Sequence, residues 1–118
     1  MVDTTKPNNF ILYSVNDSDV NVQILADKDN ETIWLNQKQL ATIFDVQVPA
    51  INKHIKNLLE EKELDASTIS KMETVQKEGK RSIKREVEFY NLDMIVSIGY
   101  RVNSYKATQF RIWATKIL

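Results

Sequence analysis

Apolar and polar residues alternate along Val20-Asn21-Val22-Gln23-Ile24 with the period of two of a half-buried strand, and a β-prone run, Phe10 to Val15, precedes them. Asp27-Lys28-Asp29-Asn30 is turn chemistry, because Asp and Asn bond their own backbone and tolerate left-handed geometry; Thr32 to Leu35 then reads as a return strand. The pattern predicts a hairpin over residues 20–35. At Asn36 the period becomes helical. Asn36 is a good N-cap, and Leu40, Ala41, Ile43 and Phe44 supply the apolar stripe of a short helix that ends at Asp45-Val46-Gln47. A second helix is predicted over residues 48–61, with Pro49 tolerated in its first turn. Val48, Ile51, Ile55, Leu58 and Leu59 form its apolar stripe, leaving Pro49, Asn52, Lys53, Lys56 and Glu60 on the opposite face.

After a polar link, Ile69 to Gln76 and Ser82 to Tyr90 read as two strands around a loop, residues 77–81, in which Gly79 suits a left-handed position. Ile83, Arg85, Val87 and Phe89 share one face of the second strand; Lys84, Glu86, Glu88 and Tyr90 share the other, which is expected to be wet. Asn91 caps a helix through Met94, Ile95 and Ile98 to Tyr100, and Ser104 caps a last one through Ala107, Phe110, Ala114 and Ile117. That helix meets Leu118 without a Gly or polar cap, so the chain is expected to be cut from something longer or to dock on a partner. Pro7-Asn8-Asn9 marks a frayed start, and residues 1–9 are expected to be disordered.

The length, 118 residues, suits one domain, here 10–118, and 42% apolar residues can form its core without disulfides. No apolar run approaches the ~20 residues of a membrane span, and no signal peptide is evident. The absence of cysteine fits a reducing compartment and removes thiolate metal sites and thiol catalysis. A cytoplasmic protein is expected. Formal net charge is zero, but residues 1–46 carry three Lys against seven acids, whereas residues 47–118 carry thirteen basic residues against nine acids. The positive field belongs to the second part.

Two helices joined by a short break, then a link and a hairpin with a basic tip, is the order of a winged helix-turn-helix. The fold expectation is therefore α+β: that unit with an N-terminal β-hairpin and two C-terminal helices. Such a fold places the second helix in the major groove and the hairpin against a neighbouring phosphate strand. Charge sits where the geometry requires it. Gln47 to Leu59 contains Lys53, His54 and Lys56 and no acid, and Gln76 to Arg85 has five basic residues against Glu78 alone. Gln47, Asn52 and Lys53 are the candidates for base edges, amides pairing with adenine and lysine with guanine, while Val48 and Pro49 suit a thymine methyl. Lys56, Lys77, Lys80, Arg81, Lys84 and Arg85 are the candidates for phosphates.

The bland readings are solvated lysines, a helix-flank His54, a solvated helix end at Glu60-Glu61-Lys62-Glu63, core Trp34 and Trp113, and a helix end at Tyr100-Arg101. Neither a Gly-rich phosphate loop nor a nucleophile motif occurs. No catalysis, metal, cofactor or small-molecule substrate is expected, and duplex DNA is the expected partner. The competing reading is a protein-interaction or dimerisation module that docks through the hairpin 20–35 and the terminal helix, with Phe110 and Ile117 in its interface. A homodimer is compatible with both, since many such readers bind half-sites in pairs.

Several strings resemble the RhuM family of bacterial virulence-associated proteins: Trp34-Leu35-Asn36-Gln37, Ile51-Asn52-Lys53-His54-Ile55-Lys56-Asn57, Glu88 to Ile95, Gly99 to Ser104, and Thr108 to Thr115. The resemblance spans roughly residues 20–118 and is most specific in the second half. It implies a DNA-binding-like N-terminal module, followed in some relatives by a Fic-type domain; the Fic catalytic string is absent here. Where the family tends to have Gly in the turn and Ser with a basic residue opening the second helix, this chain has Asp45, Gln47, Val48 and Pro49. Asp45 is thereby expected beside phosphate, which it would repel.

Overall fold

The computed structural model describes residues 10–14 and 21–117; the side chain of Gln76 is not among them. The expected disorder over residues 1–9 and the strand ends at Val15 and Val20 lie outside the described residues. Strands β1 (Phe10–Ser14), β2 (Asn21–Asp27) and β3 (Thr32–Trp34) form an antiparallel sheet with β2 in the centre. Helices α1 (Gln37–Phe44) and α2 (Val48–Glu60) follow, then a single 3-10 turn (Ala66–Thr68), and then strands β4 (Ile69–Glu78) and β5 (Arg81–Tyr90), which pair as a separate two-stranded sheet. Helices α3 (Leu92–Val102) and α4 (Tyr105–Ile117) complete a mixed α+β architecture. No described helix is long and apolar enough to cross a membrane.

Local chemistry explains most boundaries. The Asp27 carboxylate accepts from the Asn30 backbone N–H at 3.2 Å, from Asn30 Nδ2 at 2.8 Å and from Trp34 Nε1 at 3.2 Å, which closes the β2–β3 turn. Asn36 and Gln39 form a reciprocal capping box at the start of α1, each side chain bonding the other's backbone N–H at 2.9 Å. Asp45 ends α1 in a left-handed conformation, φ 58°, a geometry Gly adopts most readily. Asn91 accepts from Met94 N–H, and Ser104 from Ala107 N–H, at the starts of α3 and α4.

The β4–β5 hairpin is longer and tighter than expected. Pairing continues to Glu78↔Arg81, so only Gly79 and Lys80 form the turn. Gly79 has φ +64°, which suits the first central position of a primed hairpin turn.

Leu35 and Tyr90 bridge the two sheets. Leu35 N–H donates to the Tyr90 carbonyl at 3.0 Å and Tyr90 N–H returns the bond at 2.8 Å. Immediately beyond each partner stands the Asn that caps the next helix, so α1 and α3 leave from one seam. Leu92 N–H donates to Thr32 Oγ1 at 2.9 Å across the same seam.

The main core gathers Ile24 and Ile33 from the sheet, Leu35, the inner stripes of all four helices, and Tyr90. A smaller cluster of Leu25, Met72 and Phe89, with Phe10, Trp34 and Val87 against it, lies between the first sheet and the hairpin. Because the adjacent residues Ile24 and Leu25 serve different clusters, β2 is buried on both faces at its middle. The expected wet face of β5 is therefore corrected at its base, where Tyr90 is fully buried in the main core. Phe110 is likewise fully buried, edge-on to Tyr13 and Phe44. Its role is packing, which corrects its expected place in an interface; Ile117 is 46% exposed.

Candidate nucleic-acid interface

The inner stripe of α2 is Ile51, Ile55 and Leu58, all buried. That anchoring turns Gln47, Val48, Pro49, Lys53 and Lys56 to solvent, with Asn52 half-buried beside them. The α2 N-terminus carries no acid in its first turn, and Gln47 makes no side-chain capping bond. Its free amides and positive dipole end are open to an anion. His54 is half-buried, and its pKa lies below the ordinary imidazole value because of burial first, then the nearby Arg101 and Lys53 charges. The imidazole adds no charge to this face at neutral pH.

The α2 end is exposed, as expected, and two of its acids engage Arg101, which pairs with Glu61 and lies 3.5 Å from Glu63, tying α2 to α3. Asp45 pairs with Lys106 of α4 at 3.6 Å. The Asp45 carboxylate stays 74% exposed, so this pair weakens rather than removes the repulsion expected toward a phosphate.

Strand register divides the hairpin cations between two faces. Lys84 lies on the Tyr90 face, with Lys77 opposite Ser82 on the same side; Arg81 and Arg85 lie on the face of Val87 and Phe89; Lys80 occupies the turn. Lys84 lies 3.7 Å from Glu73, and Arg85 donates to Glu78 at 2.6 Å. Among the described residues Lys53, Lys56, Lys77, Lys80 and Arg81 make no ion pair. The tip stands roughly 30 Å from the hairpin base at ~3.3 Å per residue. Val75, 64% exposed, lies on the Tyr90 face.

A hydrogen-bonded row joins α2 to the hairpin. Gln37 Nε2, at the start of α1, donates to Asn52 Oδ1 at 3.4 Å and to the Tyr90 hydroxyl at 3.1 Å; that hydroxyl donates to Glu88 Oε2 at 3.0 Å. The structure thus brings Asn52 to the base of the hairpin and leaves Lys77, Lys80 and Arg81 at its far end. Gln37, Tyr90 and Glu88 were not among the residues expected to matter. The signal for Tyr90 was a large aromatic closing an otherwise charged strand face.

Among the described residues, no three His, Asp or Glu side chains converge where a metal could sit. No curated protein and no solved structure matches the chain. The β4–β5 hairpin, α3 and α4 fall within residues 67–118, less than half of the chain, which match the model of the virulence protein RhuM family, and in that stretch the chain is similar to the family.

Proposed function

We propose that the chain is a duplex-DNA-binding module of winged helix-turn-helix type in a RhuM-like, virulence-associated protein, acting as a regulator or as the targeting part of a larger chain. The observation that carries this reading is the outer face of α2, which holds no acid before Glu60 at its last residue and carries Lys53 and Lys56 without an ion pair among the described residues, coupled through Asn52 and Gln37 to the base of a long hairpin with a cationic tip. A solvated surface ordinarily mixes its signs, and separate positive patches on the two elements that such a fold lays on DNA favour a polyanion. In this reading Gln47, Asn52 and Lys53 face bases, with Pro49 and Val48 beside a thymine methyl. Lys56, Lys77, Lys80 and Arg81 take phosphates, while Lys84 and Arg85 are partly neutralised by their acidic neighbours.

Fluorescence anisotropy against random duplex and single strand, over a range of salt, tests the proposal. Four phosphate contacts give a log–log salt slope of about −4. Absence of binding at low salt, or binding unchanged when Lys53, Lys56, Lys80 and Arg81 become alanine, overturns it.

One feature favours a protein-interaction role as a second reading. Along the α3–α4 groove Tyr100 and Ile112 are 65% and 48% exposed, and the Arg111 guanidinium lies over the Tyr100 ring at 4.1 Å. A dimer by light scattering that I112D abolishes, without loss of fold, would assign that groove to self-association.

A further inference from the structure

The Glu88–Tyr90–Gln37–Asn52 row has a direction. A carboxylate accepts only, so the Tyr90 proton points to Glu88. The pKa of Tyr90 is raised, chiefly by burial, so the phenol keeps that proton near neutrality. With its single proton committed, the Tyr90 oxygen faces Gln37 as an acceptor, and Gln37 must turn its NH2 toward it. The same NH2 has a second hydrogen, which reaches Asn52 Oδ1. Reversing Gln37 would set its carbonyl against a hydroxyl oxygen and an amide oxygen at once. The charge on Glu88 therefore orients three side chains in sequence, ending on α2.

We infer that this row fixes the Asn52 amide with Oδ1 turned to Gln37 and Nδ2 left for a base, so that Asn52 reads chiefly as a donor and selects an acceptor edge, guanine O6 and N7, over adenine. The inference rests on the DNA-binding reading and corrects one part of it. A bidentate pair with adenine needs the Asn oxygen to accept from N6 while its nitrogen donates to N7. Here that oxygen keeps a second lone pair, but it is turned to Gln37 rather than set beside Nδ2 on one base edge. Guanine asks only for donors in the major groove. Gln37, Tyr90 and Glu88 are thus positioning residues, and Asn52 carries the preference.

Two measurements on the 118-residue chain test this. The first needs no DNA: in nitrogen-edited NMR spectra the Gln37 side-chain amide protons should be shifted and slow to exchange. Y90F removes one acceptor and E88Q removes the anion that sets the direction, so both should move these signals toward those of a free amide. Unmoved signals in both variants overturn the row. The second is selection from a random duplex library, comparing wild type, N52A and E88Q. At the position whose preference N52A abolishes, wild type should favour guanine over adenine by roughly tenfold. E88Q should let adenine in, with affinity for random duplex no lower than wild type. An adenine preference in wild type that depends on Asn52 overturns the inference while leaving DNA binding intact. Failure to bind any duplex at low salt overturns the DNA reading and the base preference with it, and the NMR comparison then decides the row separately.

Discussion

Asp27 and Trp34 are joined across the mouth of the β2–β3 hairpin, the carboxylate accepting the indole N–H at 3.2 Å. Burial alone would raise the Asp27 pKa, but the bonds from Asn30 and Trp34 outweigh it and hold the carboxyl below its ordinary value. A depressed folded pKa stabilises fully above the unfolded value, ~3.9, and the contribution disappears as pH falls through the folded value. Stability measured by denaturant titration should therefore lose an Asp27-dependent part below about pH 4. That part should be missing from D27N. D27A, which leaves the indole N–H without its acceptor, should cost about 1–3 kcal/mol at neutral pH.

The caps make a second prediction. N36A removes half of a reciprocal box and N91A removes the bond to Met94 N–H, so each should cost about 1 kcal/mol. Thermal unfolding should shift down by a few degrees for either substitution, with DNA affinity at saturating fold unchanged.

The two glycines should respond with opposite sign. Gly79 has φ +64°, where an L side chain is strained although a Cβ would meet nothing within 4 Å; G79A should cost about 1–2 kcal/mol, confined to the hairpin tip. Gly99 is buried inside α3, yet a Cβ there would make ordinary contacts, 3.6 Å to Phe44 Cζ and 3.9 Å to Ala107 Cβ. G99A should stabilise the domain by roughly 0.5–1 kcal/mol through helix propensity. A melting comparison of the two variants checks both signs.

Ion pairing ranks the cations for DNA binding. K56A or K80A should weaken binding about equally on every duplex and make the salt slope shallower by about one. R85A should do less, because its guanidinium already sits 2.6 Å from Glu78. Anisotropy titrations at several salt concentrations separate these outcomes, and an R85A effect as large as that of K80A would show that Glu78 gives way.

Features set within a few residues were legible in the sequence. The Asp27–Asn30 turn, the Asn36, Asn91 and Ser104 caps, and the burial of Ile51, Ile55 and Leu58 depend on local spacing, and all appear as expected. Features set by distant partners were not. Tyr90 belongs by alternation to a polar face, and only the bridge to Leu35 and the packing of α1 turn it into core. The ion pairs Lys84–Glu73 and Arg85–Glu78 depend on strand register, which local spacing left open by a residue or two at the turn. Phe110 and Ile117 share a helical period, but the aromatic neighbours Tyr13 and Phe44 claim only the first.

The Leu35–Tyr90 seam also bears on how the molecule can be divided. Its two partners lie far apart along the chain, so loop-closure entropy must be overcome before either main-chain pair forms. The RhuM-like stretch, residues 67–118, contributes one of these partners and the preceding residues the other. Expressed alone, that stretch would leave the amide and carbonyl of Tyr90 unpaired and its ring stripped of the side chains that cover it. A cut at residue 67 accordingly divides the main core as well as the bridge.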